Sequence, residues 1–298
     1  MKSTFISRLA KPNLLRRLWK KIRSYFIVDQ WIVLIAPSSG YKSLSWGNFK
    51  SLIPPIDRFW ADPFVWFHEN KHYVFIEEAL YSTHRGRIVC LTLDKEMNIQ
   101  SNQVVLEKPY HLSYPFLFEY KSQLYMLPET AENNTVELYR CAHFPDQWEF
   151  EKTLINNVHA LDATLLEAHG KWWLFANIQE KGGSSWDSLH LYYSDHPLSD
   201  DWIPHPHNPI VKDIHSARPA GRIFSDNGKL VRPSQDCSVR YGYAVNYNQI
   251  VTLTETDYLE TREHTFKPMR KNSIRATHTY NDMAGVTVID AILRRCRF

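Results

Sequence analysis

Five short stretches of this chain each open on a side chain able to take part in chemistry. Asp62 stands in Ala61-Asp62-Pro63-Phe64, Tyr114 in Ser113-Tyr114-Pro115-Phe116, and Asp162 in Leu161-Asp162-Ala163-Thr164. Arg218 stands in Ala217-Arg218-Pro219-Ala220 and His278 in Ala276-Thr277-His278-Thr279. Two opposed carboxylates with an arginine and a histidine beside them form a set suited to acid–base work on a glycosidic bond. One group attacks carbon or activates water, and the other tunes charge or donates a proton. The arginine can hold a neighbouring carboxylate ionised or grip an anionic group on a ligand. Glu77, Glu78 and Glu129, at the ends of the strands that follow, are candidate proton donors. The reading expects Asp62 as base or nucleophile, with Asp162, Glu129 and Glu77 assisting. It expects Trp60, Tyr114, Arg218, Arg232, Asp236 and His278 to bind substrate, with Trp186 as a further stacking aromatic.

A repeat positions these residues. Each of the first four openings leads through a polar turn to a second strand, and Asp62 to Glu77, Tyr114 to Glu129, Asp162 to Asn177 and Arg218 to Pro233 all span 15 residues. The turns, such as His169-Gly170-Lys171 and Asp226-Asn227-Gly228-Lys229, have hairpin chemistry. A period of about 50 residues is the length of a four-stranded propeller blade. A fifth copy follows, with a turn over Asn281–Gly285 and a strand over Val286–Asp290. Too few residues remain after it for four strands, so the strand Gln30–Ala36 is expected to complete it and close the ring, removing an exposed sheet edge. Further strands are expected over Gly86–Asp94, Gln103–Leu106, Thr135–Ala142, Trp148–Leu154, Ser188–Ser194, Trp202–Ile203, Tyr241–Leu253 and Tyr258–Phe266. Pro204–Pro209 reads as a connection. The expected fold is an all-β, five-bladed β-propeller over residues 29–298, whose opening residues face one another across a central funnel.

Composition agrees with this reading: 16 Tyr, 15 Phe and 10 Trp against 5 Met favour pleated, half-buried surfaces. The net charge of +3 conceals an asymmetry. Residues 1–28 hold eight Lys or Arg and no acid, leaving the remainder at −5. A body of that sign is a poor nucleic-acid binder. Within Asn13–Val28, Leu14, Leu15, Leu18, Ile22, Tyr25 and Phe26 recur at helical spacing among basic residues. This predicts a short amphipathic helix that lies on a membrane surface, meets a partner protein, or packs its leucine face on its own domain. Cys90, Cys141, Cys237 and Cys296 lack metal-ligand spacing and read as reduced. With no secretory pattern visible, they suit a cytoplasmic chain, with membrane association at the inner face as the variant the basic segment allows.

The Trp60-Ala61-Asp62-Pro63 opening and the five-blade period resemble the arabinanase, β-xylosidase and invertase group of glycosidases. That resemblance implies a base or nucleophile at Asp62 and a pKa-adjusting aspartate at Asp162. It also implies a general-acid glutamate on a later blade, where this chain has Arg218 instead. His278 matches a position at which some members place a histidine near a central metal ion or water; no metal or other cofactor is otherwise indicated. A closer resemblance covers about residues 25–295. Asp29-Gln30-Trp31, Phe59-Trp60-Ala61-Asp62-Pro63, Ser113-Tyr114-Pro115, Leu127-Pro128-Glu129, Leu161–Thr164, Arg218–Gly221 and Arg232-Pro233-Ser234-Gln235-Asp236 are similar to the N-terminal domain of plant glucosamine inositolphosphorylceramide transferases and its bacterial relatives. That domain occurs near sugar-transfer or formyl-transfer modules, which implies work on a carbohydrate, anionic or lipid-linked, in glycolipid or surface-polysaccharide assembly.

Each residue also has a plainer reading. Asp-Pro at a strand start is common turn chemistry. Asp162 could bond only backbone amides at a blade entrance, and Arg218, Arg222, Arg232 and Arg240 could form a structural network. His205 and His207, flanked by prolines, read as loop. Two functions stay open: an enzyme cleaving or transferring a glycosyl unit, and a noncatalytic glycan-binding module serving a transferase. A raised carboxyl pKa beside a second acid points to the first, and neutralisation of the aspartates by Arg218 to the second.

Overall fold

A computed structural model describes residues 27–180, 182–269 and 273–296. The described chain is almost wholly β, with three short 3-10 turns and no helix long and apolar enough to cross a membrane. Blade I holds β3 (Arg58–His68), β4 (Lys71–Leu80), β5 (Gly86–Leu93) and β6 (Ile99–Leu106). Blade II holds β7 (Ser113–Tyr120), β8 (Gln123–Glu129), β9 (Thr135–His143) and β10 (Gln147–Asn156). Blade III holds β11 (Ala160–Ala168), β12 (Lys171–Ile178), β13 (Ser188–Ser194), β14 (Ile203–Pro204) and β15 (Val211–Lys212). Blade IV holds β16 (Phe224–Asp226), β17 (Lys229–Asp236), β18 (Ala244–Leu253) and β19 (Tyr258–Phe266). Blade V joins the chain's two ends: β20 (Tyr280–Met283) and β21 (Val286–Cys296) with β1 (Ile27–Pro37) and β2 (Lys50–Leu52).

Closure is as the repeat required. β1 pairs with β21 from Ile27↔Cys296 to Pro37↔Val286, so every backbone group along the seam has a ladder partner and neither strand is left as an edge toward its neighbour. Apolar side chains fill the spaces between blades: Phe64, Phe75, Tyr114, Phe116 and Leu127 between I and II, and Trp173, Phe175, Leu189 and Ile250 between III and IV.

The elements depart from expectation in several places. The predicted helix over Asn13–Val28 lies outside the described residues except for Ile27 and Val28, which are strand. Asn281, Asp282 and Met283 belong to β20, and the turn is only Ala284-Gly285, both at positive φ as a tight hairpin needs. The strand predicted from Tyr241 begins at Ala244, and that from Trp202 is β14, which takes in Pro204. In blade IV, Arg218–Ile223 leave the ladder apart from a Pro219–Ser234 bridge. Gly221 allows this, because it sits at φ 129° where an added Cβ would fall 1.9 Å from the Tyr280 carbonyl oxygen. β2, too short to show a pattern, forms the outer strand of blade V.

Candidate functional site

The 15-residue spacing has a structural cause. In blades I to III the ladder pairs Ala61↔Glu77, Ser113↔Glu129 and Leu161↔Asn177, then skips, resuming at Phe64↔Phe75, Phe116↔Leu127 and Thr164↔Phe175. The skipped residues, Asp62, Tyr114 and Asp162, take left-handed φ of 50°, 43° and 54°. A bulge of this kind bends the strand and re-aims its side chain. Aspartate tolerates the conformation, whereas for tyrosine it is a strained one held by its surroundings. The Tyr114 hydroxyl supplies that hold, lying 2.8 Å from Thr164 Oγ1 and accepting from Gly221 N–H at 2.8 Å, so its ring crosses from blade II to blades III and IV and closes the axis.

Each bulge frees a backbone N–H, and a carboxyl of the preceding blade takes it. Asp290 Oδ2 accepts from Asp62 N–H at 3.1 Å, Asp62 Oδ2 from Tyr114 N–H at 3.3 Å, and Glu129 Oε2 from Asp162 N–H at 3.1 Å. The acids of the funnel floor therefore bind blade to blade, whatever else they do.

On the side of blades III and IV the floor is an ion pair. Arg218 Nε donates to Asp162 Oδ2 at 2.6 Å and Nη2 to Oδ1 at 3.3 Å, while Gln235 Nε2 donates to Oδ2 at 2.9 Å. Glu129 lies 3.6 Å from the same guanidinium. Burial raises its carboxyl pKa well above the usual range, with the Asp162 charge adding to the rise and Arg218 opposing it. The guanidinium lies 4.9 Å from the Tyr241 ring centre, and Tyr241 in turn meets Trp186 at 6.1 Å.

The side of blades V and I is built around a proton. His278 Nδ1 lies 2.6 Å from Asp290 Oδ2 and 3.6 Å from Asp62 Oδ1. Burial lowers its pKa, but Asp290 and Asp62 outweigh this and lift it to about 9. Asp62 accepts from Thr279 Oγ1 at 2.7 Å. Burial, with Asp162, Glu77 and Asp290 nearby, pushes its pKa up to about 7 against the pull of His278. Trp31 stacks on the His278 ring at 4.0 Å. Asp62, His278 and Asp290 offer three ligand atoms within 4.8 Å of one another. With His278 protonated they form an ion pair whose imidazolium would repel a cation.

Of the residues singled out from sequence, Asp62, Tyr114, Glu129, Asp162, Arg218 and His278 meet on this floor. Glu77 is buried 3.2 Å from His111 Nε2 and acts on Asp62 through its charge alone. Trp60 is turned into the core between blades, its indole N–H donating to Glu78 at 2.9 Å, because adjacent strand positions face opposite ways. Glu78 is further engaged by Arg58 and Arg87, and against burial the Trp60 hydrogen bond and these two arginines hold its pKa low. Arg232 pairs with Glu260 at 2.6 Å, in contact with neither Asp162 nor Arg218, and Asp236 lies 3.3 Å from His215 Nδ1. Arg222 has no carboxylate partner among the described residues. Its guanidinium lies over Phe116, and burial lowers its pKa to about 10. His205 is buried in a loop at the blade III edge. Sequence reasoning missed Trp31, Thr279, Gln235, Tyr241 and Asp290. The run Val288-Ile289-Asp290-Ala291, an acid inside an apolar strand, was the one available signal.

With this geometry in view, comparisons with known proteins converge. A family model described as "Glucosamine inositolphosphorylceramide transferase 1, N-terminal" matches residues 51–284. Glucosamine inositolphosphorylceramide transferase 1 of Oryza sativa subsp. japonica is 38% identical over 206 residues, and that of Arabidopsis thaliana 34%. Each alignment covers 68% of this chain and 27% of the relative, so the chain spans about a quarter of those proteins. Among solved structures, the catalytic domain of a Coprinopsis cinerea family 62 α-L-arabinofuranosidase superposes with a TM-score of 0.56 at 12% identity, covering 88% of this chain and 97% of that one. A family 117 glycoside hydrolase of Zobellia galactanivorans gives 0.55 at 11%, covering 90% of each. These likenesses show the five-bladed fold.

Proposed function

The chain belongs to the glucosamine inositolphosphorylceramide transferase 1 N-terminal family, and from that premise we propose that its funnel binds the sugar of a glycoconjugate as a recognition domain. The observation that carries this is the Asp162–Arg218 pair. Arg218 stands at the opening of blade IV, where the glycosidase resemblance would look for a later-blade acid, and clamps Asp162 through two nitrogens while Gln235 occupies a further lone pair. A carboxylate so held has its oxygens committed to the clamp and not open to a reacting sugar. Above it, Trp31, Trp186 and Tyr241 are half-buried aromatic faces, the type of surface on which sugar rings stack. The relatives' names make glucosamine and inositol glycosides the first ligands to try.

The test is calorimetric titration of the whole chain with such glycosides. Binding is expected, with Trp186→Ala and Tyr241→Ala weakening it by up to about tenfold each. Absence of binding to any saccharide in a broad panel defeats the proposal. A second reading, glycosidic bond cleavage or transfer, draws on Asp62, whose pKa of about 7 suits proton exchange. Turnover of aryl glycosides that disappears in Asp62→Asn, in a variant that still folds, would favour that reading.

A further inference from the structure

We propose that the funnel face of the propeller docks on an anionic lipid bilayer. The first strand of each blade starts at the funnel, so the loops that precede these strands and those joining second to third strands lie on one face. Four apolar side chains stand out there: Ile53 (45% exposed) and Ile56 (38%) before β3, Val239 (61%) in the loop before β18, and Met269 (45%) after β19. Register places them. Gln30 Nε2 donates to Pro55 O at 2.8 Å, and Gly242, in the Val239 loop, approaches His278 so closely that an added Cβ would lie 2.6 Å from its ring.

The charge around these side chains is positive. Arg240 is exposed, Arg275 is half-buried with its Nε unpartnered, and neither has an ion-pair partner among the described residues. Both act electrostatically on Asp29, which is already bound by Arg294 at 2.6 Å, and Asp57 is likewise taken by Arg58. β1 also begins on this face, at Ile27, and the sequence leading into it, residues 1–26, holds eight Lys or Arg and no acid. The opposite face differs. Val251 is 50% exposed there, but the turns around it and its neighbours mix acids with lysines: Lys171 pairs with Asp195 and Glu255 and Lys42 with Asp226, while Asp94, Glu96 and Asp257 have no ion-pair partner among the described residues. Isolated apolar side chains among free arginines suit a surface that enters the headgroup layer of an anionic membrane, and turns whose lysines are spent on acids and whose unpaired charges are carboxylates do not. If the sugar-binding reading above also holds, a lipid-borne sugar would meet the funnel directly; the docking itself does not depend on that reading.

The experiment uses the full chain and vesicles without sugar lipids, of phosphatidylcholine alone or with about a third phosphatidylserine. Co-sedimentation is expected only with the anionic vesicles and should fall as salt rises. Each arginine near such a surface contributes about fivefold in partitioning, so Arg240→Glu with Arg275→Glu should lower it at least about tenfold. A polarity-sensitive dye on Val239→Cys, in a Cys296→Ser background, should shift blue on vesicle binding, whereas one on Val251→Cys should not. Wild-type partitioning by the double variant, a response at 251 in place of 239, or capture by a protein with no vesicle binding would each overturn the proposal.

Discussion

The two aspartates of the funnel floor occupy the same position in their blades, in the same bulge and at nearly the same φ, yet they meet opposite circumstances. Asp162 faces blade IV, which supplies Arg218, and the result is a clamped ion pair. Asp62 faces blade V, which supplies Thr279, His278 and Asp290, and the result is a carboxyl near its titration point beside a protonated imidazole. A repeat fixes where a side chain stands, and the neighbouring blade decides what that side chain can do.

Breaking the clamped side should have the largest effect. Arg218→Ala leaves Asp162 buried without its counter-charge and should cost about 3–5 kcal/mol in denaturant unfolding. Pairing Arg218→Met with Asp162→Leu should recover most of that. A single-variant cost below about 1 kcal/mol would mean that the pair is open to water and that the two sides do not differ.

Crowding the other side comes next. Gly242 sits at φ 60°, and its Cβ would press on His278, so Gly242→Ala should lose about 1–3 kcal/mol in thermal unfolding. No change would place the loop elsewhere.

Titration should distinguish the sides further. The folded-state pKa of His278 is raised to about 9, so its contribution is fully present below its ordinary value near 6.5 and is lost as pH rises through 9. The folded-state pKa of Asp62 is also raised, so the native state keeps a proton that the unfolded chain has released, and stability falls as pH rises from about 4 to 7. Urea midpoints should therefore decline across both windows. His278→Gln should abolish the upper decline, and Asp62→Asn should flatten part of the lower, the rest belonging to Glu129, whose pKa is raised in the same sense. A midpoint that stays flat from pH 4 to 7 would show these carboxyls titrating as ordinary ones, and one that rises would show their pKa values depressed instead of raised.

The smallest expected effect is that of Thr279→Val, which removes the 2.7 Å hydrogen bond to Asp62. It should cost about 1 kcal/mol and move the lower window upward in pH.

Much of the architecture was legible because it is local. A hairpin with a bulge one residue past Ala61, Ser113 or Leu161 gives the same 15-residue interval each time, so Asp62, Tyr114 and Asp162 could be aligned without coordinates. Blade IV was less legible, since Arg218 leaves the ladder on a loop that Gly221 makes possible. Trp60 looked like a platform for a ligand, and strand alternation turned it toward Glu78 instead.

The sequence by itself determined the five blades, the polar residue at each opening and the closure of the ring by the first strand, because hairpins and strand periodicity depend on residues close along the chain. Only the tertiary structure decided which aspartate is neutralised and which shares its environment with a proton. Those outcomes rest on contacts such as Arg218 with Asp162, 56 residues apart, and Asp290 with the Asp62 amide, 228 apart. A carboxyl's charge state follows from burial and nearest partners in space, neither of which is encoded in its immediate neighbours along the chain.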